Sequence, residues 1–206
     1  MVNISLTEEE FYGNNFPRLQ LAQTQLTGLF SEYTHLYRDE GSPYTVQSIT
    51  SRIKAPESMA RKLKRRGLEA DGSLALTRVH DALGFGQSVP LQAACIIWPS
   101  GSGSVRNWRC FRKGLYFPSQ GEWLPQLHMI LRIQEGEAAG LTAELQLRTI
   151  AQDFWASLEH QIKYKQEVPK EELIRKELKR CADEIASIDL TMQTIQELLI
   201  SSSLLK

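Results

Sequence analysis

The sequence predicts an α/β (α+β) domain with a long C-terminal helix, and three patterns carry that reading. Residues 5–40 hold a helical stripe of Leu19, Leu26, Leu29, Phe30, Tyr33 and Leu36 after Pro17. Residues 44–53, 127–133 and 141–149 alternate apolar and polar positions, the period of strands. After Pro169, the residues Leu173, Leu178, Cys181, Ile185, Ile188, Met192, Ile195 and Leu199 line one face of a second long helix, suited to packing or subunit association. Segments of period two interspersed with segments of helical period describe a sheet flanked by helices.

Taken in order, Ser5 or Thr7 ahead of Glu8, Glu9 and Glu10 is a helix start, and Gly41-Ser42-Pro43 breaks the helical region. Tyr44, Val46, Ile49 and Ile53 then alternate with Ser and Thr. Pro56 suits a first helical turn, Met59 and Leu63 have helical spacing, and Gly67 can end that helix. A strand starts at Asp81. Residues 127–133 and 141–149 flank the turn EGEAAG and read as a hairpin. Thr149 can cap a helix whose apolar residues Phe154, Leu158 and Ile162 recur every fourth position, and Phe154 and Trp155 are expected in the core. The tail SSSLLK is expected to fray.

With 206 residues the chain suits one domain with helical extensions. Lys and Arg number 24, and so do Asp and Glu, so no global charge argues for a nucleic-acid or membrane partner. No apolar run approaches membrane length, and the start MVNISLTEEEFYG lacks the basic and apolar regions of a signal peptide. Three cysteines at irregular spacing match neither a disulfide framework nor a zinc site. A cytoplasmic, soluble protein is expected.

Two local clusters stand out. Arg52, Lys54, Arg61, Lys62, Lys64, Arg65 and Arg66 put seven cations into fifteen residues. A run of this kind is commonly a solvated basic helix. Against that, Arg52 and Lys54 share one side of a strand end and Lys62 follows on the next helix, an arrangement that can hold a polyphosphate from several sides. In the second cluster Glu144, Gln146 and Arg148 point one way and Leu145 and Leu147 the other. Spacing alone favours an ordinary solvated sheet face for that row.

The literal strings say more. Residues 144–165, ELQLRTIAQDFWASLEHQIKYK, closely resemble the E-x-Q-x-R-T…DFWASLEHK-x-KYK signature of RelA/SpoT-type alarmone synthetases. Residues 51–68 resemble the same family's R-I-K-x-P-x-S…K-L motif at Arg52, Lys54, Pro56, Ser58 and Lys62. A third family motif, D-x-x-G-x-R, begins at Asp81 and Gly84 and then fails, with Gly86 where the family has arginine.

From 86 to 126 the resemblance stops. The segment carries PSGSGS, aromatics without a period, and Pro90 and Pro99 where a helix is expected, and it supplies no convincing alternating strand. We read it as out of frame. One base lost after Phe85 permits RAVCPFAGRVYHL for residues 86–98, and the remaining frame permits KDYISHPKANGYRS for residues 113–126. The latter leads directly into Leu127 and His128 and completes the family's KDY…P-K-x-N-G-Y-x-S-L-H motif. The literal chain is then expected to be destabilised, poorly ordered from 86 to 126, and inactive.

The resemblance implies a mixed sheet of about five strands with flanking helices, in the nucleotidyltransferase-like manner. It divides the chain into an N-terminal helical region (1–40), a synthetase domain (41–166) and a C-terminal helix and tail (167–206). It implies a small, stand-alone GTP pyrophosphokinase that moves the β,γ-diphosphate of ATP to the 3′-hydroxyl of GTP or GDP, in an assembly of identical subunits, a tetramer in the family. Arg52, Lys54 and Lys62 would bind the ATP phosphates. Asp81 and Glu144 would hold Mg²⁺ and form the catalytic pair, with Glu144 orienting or deprotonating the hydroxyl. His128, Gln146 and Asp153 would lie by the guanine nucleotide, with Arg148 and Glu159 in support. Leu124 stands where the family stacks guanine on a tyrosine. The alternative is an inactive or frameshift-damaged homologue that at most binds ATP or associates with related subunits.

Overall fold

The structure, a computed structural model, describes residues 6–39, 48–89, 104–105, 108–116, 124, 126–164 and 170–203. Among these a mixed sheet forms the centre. Its order is β1 (Ser48–Ile53), β2 (Leu83–Val89), β6 (Thr142–Thr149), β5 (Gln126–Ile133), β4 (Trp108–Tyr116) and β3 (Ser104–Val105). β2 and β6 run parallel and every other neighbouring pair antiparallel. Since β3 has only two residues, five strands of six to nine residues carry the sheet, as expected.

One face of the sheet is apolar. Leu83, Phe85, Leu127, Met129, Leu131, Leu145 and Leu147 are buried there with Leu19, Ala22, Leu26, Leu29 and Phe30 of α2 (Phe16–Asp39). Each such large side chain stabilises by about 1.5–3 kcal/mol over its exposed state. The Phe30 ring meets Phe85 edge-on at 5.2 Å. The side chains of Tyr33 and Leu36 lie outside the described residues. Ahead of α2, α1 (Glu8–Tyr12) starts in a capping box, with Glu10 N donating to Thr7 Oγ1 and Thr7 N to Glu10 Oε2. α3 (Pro56–Arg65) begins on Pro56 and ends where Gly67, at φ +71°, lets Leu68 N return to Leu63 O. A short α4 (Gly72–Arg78), capped by Asp71, leads to β2.

Several expectations are corrected. β2 does not stop after Phe85. It continues through Val89, with Gly86 between Thr50 of β1 and Gln146 of β6. Its alternation was hidden because Gln87, 2% exposed, takes an apolar position between Phe85 and Val89. β4 is also a full strand within 86–126, and a register shift between Cys110 and Arg112 breaks the period that would have revealed it. Residues 90–103, 106–107, 117–123 and 125, on which the rest of that expectation falls, lie outside the described ones. The reading frame is a property of the gene, and the strands leave it open.

Thr149 caps α5 (Ile150–Tyr164): Gln152 N donates to Thr149 Oγ1 at 3.1 Å and Thr149 N to Gln152 Oε1 at 3.0 Å. Of the expected stripe on α5, Ile162 packs against the Trp155 cluster, but the other two residues are out of phase. Phe154 is 71% and Leu158 44% exposed, while Gln152, Trp155 and Glu159 are buried. Trp155 sets the phase, because its Nε1 donates to Leu178 O at 3.0 Å and its ring packs with Leu124 and Ala182. Leu178 belongs to α6 (Glu171–Ser203), which docks through Leu178, Cys181, Ala182 and Ile185. Of the apolar face expected to serve packing or subunit association, Leu173, Ile188, Met192, Ile195 and Leu199 are exposed in this single chain, which leaves that reading standing. The helix also runs on to Ser203 rather than fraying from Ser201; residues 204–206 lie outside the described ones.

Replacing Trp155 by alanine should cost about 3–5 kcal/mol in denaturant unfolding. Phe154→Ala should change stability by less than about 0.5 kcal/mol. Equal effects would contradict the phase assigned to α5.

Candidate functional site

The second face of the sheet is polar, and the strand register decides which groups meet there. Gly84 lies opposite Arg52 on one side and Glu144 on the other; Gly86 lies likewise between Thr50 and Gln146. These glycines leave a low floor between β1 and β6. A Cβ at Gly86 would come 2.7 Å from Thr50 Oγ1, so an arginine here, as in the family motif, would require Thr50 to move.

Asp81 sits just before β2. Lys54 follows β1, where its amide continues the pairing to Ala82 O at 2.9 Å and its carbonyl accepts from the buried Tyr12 hydroxyl at 2.7 Å. Lys62 projects from α3. Both ammonium groups reach Asp81 Oδ2, Lys54 at 2.7 Å and Lys62 at 2.6 Å. Burial is the largest single influence on the Asp81 carboxyl and opposes its charge. The two lysines together outweigh it and hold Asp81 below the usual carboxylate range. Beside this triad opens a cleft of about 670 Å³ lined by Arg52, Lys54, Ser58, Arg61, Lys64 and Arg65. Arg52 and Lys54 therefore face the cleft, whereas Lys62 lies on Asp81 and outside its lining.

On β6 and β5 the polar row is tied together. Glu144 Oε1 faces His128 Nδ1 at 3.1 Å, and Glu144 Oε2 accepts from Gln146 Nε2 at 3.0 Å. Arg148 donates through Nη2 to Gln146 Oε1 at 2.8 Å, through Nε to Gln126 Oε1 at 2.9 Å, and through Nη1 to Asp153 Oδ1 at 3.4 Å. For Glu144 too, burial is the strongest influence and opposes ionisation, and Asp81 adds to it. Hydrogen bonding and charge from His128, with help from Gln146, still leave its carboxyl below the ordinary range.

The structure thus brings Glu144, His128, Gln146, Arg148 and Asp153 into one network and Asp81, Lys54 and Lys62 into another. Glu159 is buried on the packed arc of α5. Sequence reasoning missed Gln126, although its place two residues before His128 on one strand was a usable signal.

Among the described residues no three His, Cys, Asp or Glu side chains stand close enough to hold a metal alone. Asp81 Oδ1 is nonetheless buried without a hydrogen-bond partner, and Glu144 is near enough to feel the Asp81 charge. Two carboxylates with a spare buried oxygen fit Mg²⁺, which is bound by one or two carboxylates and completes its shell with water and phosphate.

Residues 118–169 match the family model described as a region found in RelA / SpoT proteins. Over 165 residues the chain is 30% identical to GTP pyrophosphokinase YwaC of Bacillus subtilis (strain 168), which covers 74% of this chain and 74% of that protein. The chain belongs to the RelA/SpoT family. Its fold is that of alarmone synthetases. Small alarmone synthetase 1 from Bacillus subtilis, solved with its product pppGpp, superposes with a TM-score of 0.74 at 20% identity, covering 88% of this chain and 94% of that one. Small alarmone synthetase 2 from the same organism gives 0.69 at 26% identity, covering 88% and 97%.

The folded chain lowers both carboxyl pKa values, so their stabilisation is complete above the unfolded values and is lost as pH falls through the lower folded ones. Urea stability should therefore fall away below about pH 4, and Asp81→Asn should flatten that acid limb. An unchanged limb would contradict the pairing.

Proposed function

We propose that this chain is a GTP pyrophosphokinase, which transfers the β,γ-diphosphate of ATP to the 3′-hydroxyl of GTP or GDP and yields (p)ppGpp and AMP. The observation that carries this reading is the juxtaposition of Asp81, at the entry to β2 and paired with Lys54 and Lys62, with a hydrogen-bonded Glu144 on the parallel neighbouring strand, beside a basic cleft that Arg52 and Lys54 help to line. Arg52 and Lys54 draw the ATP phosphates into the cleft, and Lys62 supports them through Asp81. Asp81 and Glu144 hold Mg²⁺, which neutralises phosphate charge when bound. Glu144, kept ionised, orients the 3′-hydroxyl and accepts its proton. The 3′-oxygen forms a bond to the β-phosphorus as the bond from that phosphorus to the α,β-bridging oxygen breaks, and AMP leaves. His128, Gln146 and Asp153 border the guanine nucleotide, with Arg148 and Glu159 behind them.

One observation favours a second reading. Leu124, standing where the family has a tyrosine, is 1% exposed and packed with Trp155, so it offers no surface for stacking a base. A homologue that binds ATP, or only associates with related subunits, fits that loss. The exposed apolar residues of α6 suit assembly into a homo-oligomer such as a tetramer. No described helix is long and apolar enough to cross a membrane, consistent with a cytoplasmic protein.

Because β2 and β4 form within the segment from which inactivity was expected, incubation of this chain with ATP, GTP and Mg²⁺ should produce AMP and pppGpp. Glu144→Gln should lower the rate by on the order of 100-fold or more, with ATP affinity changed less than about twofold because the cations supply that attraction. An active Glu144→Gln chain would refute the role given to Glu144. ATP binding without GTP binding or turnover would select the second reading.

A further inference from the structure

The contacts around Glu144 close on themselves. From Arg148, one branch runs through Gln146 to Glu144 Oε2. The other runs through Gln126 and His128 to Glu144 Oε1. The result is a ring of five side chains across the β5–β6 pair. We propose that Gln126 is a positioning residue: it closes this ring and so fixes the plane of the Glu144 carboxylate. The inference rests on the reading of Glu144 as the group that orients the 3′-hydroxyl.

The donor inventory makes the ring directional. A guanidinium has donors only, so Arg148 Nε, at 2.9 Å, requires Gln126 to present its carbonyl oxygen. That same oxygen faces His128 Nε2 at 3.4 Å on the side opposite Glu144, and because it and the Glu144 carboxylate both accept, the ring closes in the form of His128 that carries a proton on each ring nitrogen. Arg148 likewise orders Gln146, whose Oε1 accepts at 2.8 Å, leaving Nε2 to donate to Glu144. One guanidinium therefore sets both amides, and each amide governs one oxygen of the carboxylate. Gln126 is 3% exposed, so water does not readily replace its carbonyl. The neighbouring register pairs Leu127 with Leu147 and His128 with Gln146, which leaves Gln126 at the strand end beside Arg148.

The geometry also changes what the other members do. Arg148 spends Nε, Nη1 and Nη2 on protein acceptors, and Gln146 spends both ends of its amide. Their work is to aim Glu144, and a guanine base would meet this network at its edge.

The test uses the full chain with Gln126→Leu, which removes the acceptor, and Gln126→Glu, which keeps one. With ATP, GTP and Mg²⁺, Gln126→Leu should lower kcat by on the order of 10- to 100-fold while KM for ATP stays within about twofold, and Gln126→Glu should recover most of the rate. In ¹⁵N spectra of the same proteins, the Arg148 Nε–H, assigned by its loss in Arg148→Lys, should exchange slowly in the parent and in Gln126→Glu and rapidly in Gln126→Leu. A Gln126→Leu chain with unchanged kcat, or one whose Arg148 Nε–H stays equally protected, would overturn the proposal. If the parent makes no pppGpp, the synthetase reading fails on its own, and the exchange measurement still decides whether Gln126 closes the ring.

Discussion

The parallel pairing of β2 with β6 is the constraint on which the site depends. Parallel strands cannot be joined by a tight turn, and here the intervening chain forms β4 and β5 before returning as β6. Setting Gly84 opposite Glu144 brings the entry to β2, and with it Asp81, up to the carboxylate on β6. β1 then adds Arg52 and Lys54 from the other side. Were β2 to slip by one residue, its apolar set would turn to the polar face and Phe85 would leave Phe30. The core contact and the site geometry are thus held by the same register.

Charge at the site is balanced locally. Asp81 is a largely buried acid whose ionised form is favoured because two ammonium groups converge on one of its oxygens and outweigh the effect of burial. Three charges there sum to a single positive one, so part of the pull that Lys54 and Lys62 could exert on phosphate is already engaged. The cleft cations Arg52, Arg61, Lys64 and Arg65 make up the difference. A buried pair of this kind contributes less to stability than its distances suggest, because desolvation offsets the attraction. Its value lies in keeping a carboxylate ready beside a basic cleft.

Much of this was legible in the sequence where period and chemistry agreed. The alternation of Glu144, Gln146 and Arg148 against Leu145 and Leu147, the cap at Thr149, the start at Pro56 and the stop at Gly67 all rest on local rules that the fold obeys. The failures also have physical causes. Gln87 in an apolar place and the register shift after Cys110 erased the strand period from β2 and β4. The phase of α5 follows Trp155, whose indole finds its acceptor on a helix far along the chain, and no local pattern announces that. Gln126 was missed because its partner Arg148 is brought beside it only when β5 pairs with β6.

Hydrogen–deuterium exchange of the backbone amides of β2 tests the central claim most directly. If the β2–β6 ladder forms as described, the sheet amides from Phe85 to Val89 are protected to the same degree as those of Leu145 and Leu147, and lose protection together with them in a single cooperative step. Rapid exchange beginning at Gly86, with β6 still protected by β5, would show that the strand ends where the family motif fails. The assembly of Asp81 with Glu144 would then lack its scaffold.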